Sequence, residues 1–188
     1  VIRPQDDAFH DYRSYAGRIA GGVFRKGDKV MVLPSGFTST IKAINAPEGE
    51  IKEAFTPMSV SFLLDDEIDI SRGDMIVREN NVPQNGQDID IMLCWLNEKK
   101  LQEGGKFILK HTTREVRCIV KEILYKIDIS QLRRIENEKS FGVNDIGRVV
   151  LRTTQPLFFD SYRRNRTTGS LILIDEGTNE TVGAGMIV

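Results

Sequence analysis

Five consecutive residues, Tyr162-Arg163-Arg164-Asn165-Arg166, form the densest basic run in the sequence. Guanidiniums beside an aromatic ring suit a planar, two-pronged grip on phosphate or carboxylate. The turn residues continuing from Asn165 to Gly169 predict an exposed loop. Partner binding through Tyr162, Arg163, Arg164 and Arg166 is therefore the site these residue types suggest. His10 and His111 are the only histidines. No G-x-S-x-G or similar nucleophile motif accompanies either, so both read as surface or edge-strand residues. Asp65, Asp66, Glu67 and Asp69 offer oxygen ligands of the kind calcium or magnesium takes, yet Ile68 and Ile70 separate the later carboxylates and the spacing matches no D-x-D-x-D-G loop. A solvated turn is the reading there. Cys94 and Cys118, the only cysteines, lie in apolar β-like runs without C-x-x-C or a nearby histidine, which predicts buried free thiols. No catalytic, cofactor-binding or metal-binding residue is assigned.

The elements that must position the basic loop read as strands. Tyr15 to Ala20, Lys29 to Leu33, Ser39 to Ile44 and Ser59 to Leu64 carry β-branched or aromatic residues with partial alternation. Gly21-Gly22, Lys26-Gly27-Asp28, Pro34-Ser35-Gly36 and Pro47-Glu48-Gly49 punctuate them. Gly73 in Arg72-Gly73-Asp74 is read as supplying a positive φ just before a closing strand. Asn80 to Gln87 is polar and without periodicity, the natural linker. Beyond it Ile89, Ile91, Leu93 and Trp95 alternate on one face. Further strands are expected at Lys106 to His111, Val116 to Ile127, Gly147 to Thr153, Ser170 to Ile174 and Thr181 to Ile187, with a short helix over Ile129 to Asn137. The expectation is all-β: a first barrel over residues 1–79, a linker over 80–87 and a second barrel over 88–188.

Composition sets outer bounds. The 188 residues suffice for two small domains, each near the lower limit of a self-sufficient core. Twenty-six basic residues against 27 acidic leave a net charge of -1, so no overall field favours nucleic acid or an anionic membrane. No apolar run approaches the ~18 residues of a membrane helix, and no signal peptide is evident, which predicts a cytoplasmic location. The opening Val1-Ile2-Arg3-Pro4 lacks methionine and reads as the end of a strand, so a piece of a longer protein is expected.

Gly17 to Val30 resembles the pattern with which elongation-factor-type GTPases begin the barrel after their nucleotide-binding domain, with Val23, Val30 and Val32 expected to face the core. Leu33 to Lys42 is similar to the branch holding archaeal-type elongation factor 1-alpha and sulfate adenylyltransferase. Asp66 to Asp74, Tyr125 to Ile129, Thr168 to Asp175 and the ending Thr181 to Val188 narrow this to the large, GTPase subunit of GTP-dependent heterodimeric sulfate adenylyltransferases, and the match runs from Val1 to Val188. The resemblance implies two barrels like domains 2 and 3 of elongation-factor-type GTPases. It implies a parent in which GTP hydrolysis drives a separate small catalytic subunit to make adenylyl sulfate and pyrophosphate from ATP and sulfate. GTP and magnesium would belong to an N-terminal domain, because this chain has no G-x-x-x-x-G-K-[ST] loop. The implied partners are that GTPase domain and the catalytic subunit, with neither membrane nor nucleic acid. Two other classes remain: tRNA-binding barrels of an elongation factor 1-alpha-like GTPase, which need a basic groove, and a standalone ligand-binding or enzymatic barrel, for which no catalytic constellation is present.

Overall fold

A computed structural model describes residues 1–2 and 13–188. His10, Arg3 and Pro4 lie outside the described residues. The described chain is all strand and turn, and none of it forms a helix long and apolar enough to cross a membrane. It divides into two units, Val1–Val82 and Pro83–Val188.

The first unit holds β1 (Ser14–Arg18), β2 (Val23–Arg25), β3 (Lys29–Leu33), β4 (Thr38–Ala46), β5 (Gly49–Ile51), β6 (Glu53–Phe55), β7 (Ser59–Leu64) and β8 (Met75–Arg78). Its ladder runs β1-β7-β4-β3-β8, with β5 on β4 and a separate β2–β6 ribbon. Alternation places Val30, Val32, Ile41, Val60, Phe62 and Leu64 on the inner face, where they form the core with Tyr15 and Ile19. Val30 and Val32 are buried as expected, whereas Val23 is only half-buried. It lies in the ribbon, and the neighbouring Phe24 packs on Phe62, ring centroids 5.4 Å apart. Gly73 has φ +97° and leads into β8.

The second unit holds β9 (Gln84–Trp95), β10 (Leu101–Gln102), β11 (Lys106–His111), β12 (Arg114–Asp128), β13 (Arg133–Ile135), β14 (Ser140–Phe141), β15 (Ile146–Phe159), β16 (Ser170–Ile174) and β17 (Thr181–Ile187). The order β11-β16-β17-β9-β15-β12 returns to β11 through the β11–β12 pairing, so six strands close into a barrel without a free edge. Its interior is filled by Ile89, Ile91, Leu93, Trp95, Leu109, Val149, Leu151, Leu171 and Leu173. Irregularities in register bend the long strands: two where β12 meets β15, and one where β15 meets β9, between Arg152 and Leu157.

Two expectations need correction. Gln84 to Gln87, read as linker, are the first residues of β9; Gln84, Asn85 and Gly86 pair with Phe159, Phe158 and Leu157 of β15. Backbone pairing past the irregularity in β15 outweighs their polar composition. Ile129 to Asn137 is not helical: Arg133–Ile135 is β13, paired with the end of β12 through Lys126↔Ile135 and Asp128↔Arg133. Helix-favouring side chains lose here to the available edge of β12.

Candidate partner-docking loop

The run Tyr162 to Arg166 lies between β15 and β16, in a connection folded back on itself by backbone groups. The Tyr162 amide donates to the Ile187 carbonyl at 2.8 Å, and the Ile187 amide donates to the Gly169 carbonyl at 2.8 Å, so β17 ties both ends of the loop. The Arg164 and Asn165 amides both donate to the Ser161 carbonyl, at 2.9 and 3.0 Å. Asn165 turns its Oδ1 to the amides of Thr167 and Thr168 at 2.9 and 3.3 Å, the side-chain turn for which asparagine is suited. Gly169 permits the close return: a Cβ there would stand 2.5 Å from the Tyr162 backbone nitrogen and Cα.

Within this frame the arginines face different surroundings. Arg164 lies with its Nε 3.6 Å from Asp160 Oδ1. Arg166 carries its guanidinium 6.0 Å from the centre of the half-buried Tyr162 ring, at the outer limit of a cation–π contact. Arg163 is exposed, with no ion-pair or ring partner among the described residues. The loop thus displays three exposed arginines beside an aromatic ring on a fixed backbone, an arrangement able to receive carboxylates.

Beneath the loop lies a residue whose environment the sequence reading misplaced. His111, expected at a surface or edge strand, is 1% exposed. It ends β11, a strand paired on both sides, and shares the inward face of Leu109. Its Nε2 lies 2.7 Å from the Thr168 carbonyl. A carbonyl only accepts, so Nε2 carries the proton. Burial pushes the imidazole below its ordinary value of 6.5, with the Thr168 carbonyl and the Asp160 carboxylate pulling the other way. Thr168 Oγ1 donates to Asp160 Oδ2 at 2.8 Å, and the Asp160 amide donates to the Thr168 carbonyl at 3.2 Å.

The remaining candidates occupy structural roles. Asp65, Asp66, Glu67 and Asp69 are exposed while Ile68 and Ile70 are buried between them. Ser39 Oγ donates to Asp66 Oδ2 at 2.8 Å, Tyr15 donates to the Ile68 carbonyl at 2.6 Å, and Asp69 pairs with Arg13 at 3.0 Å. No cluster of three or more His, Cys, Asp or Glu able to hold a metal occurs among the described residues. Cys94 is half-buried, and Cys118 is buried with its thiol pushed up to about 12 by desolvation, so Cys118 stays protonated and unreactive.

Residues 88–188, the closed barrel and its loop, match the sequence model described as GTP-eEF1A C-terminal domain-like. The chain belongs to this family. Along its whole length it is similar to parts of longer proteins. It is 49% identical over 189 residues to the "Bifunctional enzyme CysN/CysC" of Mycobacterium tuberculosis (strain ATCC 25618 / H37Rv), covering 100% of this chain and 31% of that protein. It is 43% identical to "Sulfate adenylyltransferase subunit 1" of Bacteroides fragilis (strain YCH46), covering 100% of this chain and 38% of that protein. The chain therefore spans about a third of the length of these relatives. Among solved structures it resembles Sup35 complexed with GMPPNP, with a TM-score of 0.84 at 20% identity over 93% of this chain and 43% of that one. It also resembles translation elongation factor SelB from Methanococcus maripaludis, with a TM-score of 0.73 at 16% identity over 93% of this chain and 38% of that one. At such identities these likenesses establish the fold: two β-barrels of the kind found in elongation-factor-type GTPases.

Proposed function

We propose that these barrels are the non-catalytic C-terminal part of a sulfate adenylyltransferase large subunit, in which GTP hydrolysis drives a small catalytic subunit to make adenylyl sulfate and pyrophosphate from ATP and sulfate. The observation that carries this is the similarity over the whole chain, at 43% identity, to a protein named sulfate adenylyltransferase subunit 1. The proposal assigns GTP and magnesium to an N-terminal domain outside these residues. The sequence lacks G-x-x-x-x-G-K-[ST], so nothing here would cradle the phosphates. Catalysis is likewise assigned to the partner subunit, and the setting to the cytoplasm.

The barrels' task in this reading is to pack on the GTPase domain and help hold the catalytic subunit. Tyr162, Arg163, Arg164 and Arg166 are the docking contact. A planar guanidinium can grip a carboxylate through two parallel hydrogen bonds, and a backbone already fixed by Ile187 and Ser161 loses little freedom on binding.

Fold likeness to Sup35 and SelB favours a second reading, a tRNA-binding pair of barrels in a translation factor. One experiment separates the two. The full-length protein is co-purified with the products of neighbouring genes and assayed for adenylyl sulfate formation with and without GTP. GTP-stimulated product formation is the expected result. Salt-sensitive tRNA binding without that activity would replace the first reading with the second.

A further inference from the structure

Thr168 is the hub of the loop. Its amide is held by Asn165, its hydroxyl by Asp160, and its carbonyl by both the Asp160 amide and the His111 imidazole, 57 residues away in sequence. Packing alone does not call for a histidine at position 111. The neighbouring inward position on β11 is the apolar Leu109, and a buried imidazole costs free energy unless its polar atoms are matched. What the imidazole adds is a fixed N–H aimed at the hub. Through Thr168 that bond holds Asp160, whose carboxylate lies 3.6 Å from Nε of Arg164, a side chain that stays 63% exposed. Arg163 and Arg166 are exposed as well, with the Tyr162 ring beside Arg166.

We propose that His111 is a positioning residue for the docking loop: by fixing the Thr168 carbonyl it holds the backbone that presents the loop's exposed arginines, of which Arg164 lies beside Asp160 and the other two, Arg163 and Arg166, recognise carboxylates on an acidic partner surface. This rests on the reading of the loop as the contact for the catalytic subunit. Asp160 is the charged group that faces His111 from the loop, with Nε of Arg164 3.6 Å from its carboxylate.

The test uses the full-length protein and the small catalytic subunit, with the dissociation constant measured at fixed ionic strength for His111→Leu, His111→Gln, the double variant Arg163→Ala/Arg166→Ala, and the triple variant combining H111L with both arginine changes. H111L is expected to weaken binding about tenfold, the scale of one lost buried hydrogen bond. H111Q, whose amide restores an N–H donor, is expected to return affinity to within about threefold of the wild type. The triple variant is expected to bind no more weakly than the arginine double. Unchanged affinity in H111L, beside a weakened arginine double, would overturn the positioning role while leaving the docking loop intact. An equal loss from H111L with and without the arginines would also overturn it, because general loosening does not act through them. If H111L does not fold, Thr168→Val takes its place in the same cycle with the same criteria. If the arginine double binds normally, the docking reading itself fails. In that case amide exchange over Tyr162 to Thr168 in the free full-length protein decides the positioning claim: acceleration in T168V and H111L supports it and unchanged protection refutes it.

Discussion

Residues 65–74 of the first barrel and residues 160–169 of the second are both short charged connections between strands, but the balance of their anchors differs. The first combines buried apolar side chains, Ile68 and Ile70, with hydrogen bonds from Tyr15 and Ser39. Its carboxylates point to water, and the Asp69 side chain is 94% exposed despite its pairing with Arg13. The second is held by a polar network around Thr168 and by backbone bonds to Ile187. Its anchors are directional, so they fix the backbone from which the arginines extend. The first connection adds buried isoleucines to its hydrogen bonds, whereas the second turns its charged side chains outward from a hydrogen-bonded frame.

That contrast can be broken by substitution. The largest effect is expected from Ile68→Ala, which removes buried methyl groups and should lower the stability of the first barrel by about 2–5 kcal/mol, read by denaturant unfolding, without changing partner affinity. Next is Arg163→Ala/Arg164→Ala/Arg166→Ala, which should leave the melting temperature nearly unchanged and weaken binding to the catalytic subunit by about 2 kcal/mol, the scale of an interface anchor. Loss of stability with unchanged affinity would make the second connection structural like the first.

A pH titration sharpens the comparison at smaller amplitude. The His111 pKa is lower in the folded state than its ordinary 6.5 because of burial. Well above pH 6.5 both folded and unfolded states are neutral at this residue, and it contributes no slope. As pH falls below 6.5 the unfolded state takes up the proton first, so stability of the second barrel should decline until the folded-state value is passed. H111Q should flatten that slope; an identical slope in the variant would refute the assignment. Asp69→Ala is expected to cost no more than about 1 kcal/mol, since its ion pair is solvent-screened. At the bottom of the scale, titrating GTP and magnesium into the two barrels should give no specific heat by calorimetry. Micromolar binding, roughly -8 kcal/mol, would mean that the barrels hold a nucleotide site.

Most strands were legible because period-two alternation survives in them: Ile89, Ile91, Leu93 and Trp95 all point inward along β9. The turn was legible too, from Asn165 onward, and Arg163, Arg164 and Arg166 are exposed, but Thr168 and Gly169, read as part of the exposed stretch, are buried. What escaped the sequence was decided at a distance. Gln84 to Gln87 have no apolar pattern and become strand because Leu157 to Phe159 offer a partner. Arg133–Ile135 becomes strand because β12 has a free edge there. His111 looks like any polar residue at a strand end, and its carbonyl partner lies 57 positions onward, with no local signal linking the two.

The placement of β17 carries a consequence for biosynthesis. In the ladder it is inserted between β16 and β9, strands that bracket nearly the whole second barrel in sequence. During synthesis β9 must wait on the ribosome with one side unoccupied until Thr181–Ile187 emerges, exposing an unmatched backbone edge that invites mispairing. Ile187 of that same late strand is also the residue to which the Tyr162 amide and the Gly169 carbonyl are bonded. The arginine loop therefore takes its folded form only as the last stave of the barrel is driven in, so under the proposed docking a partner subunit would meet a finished barrel.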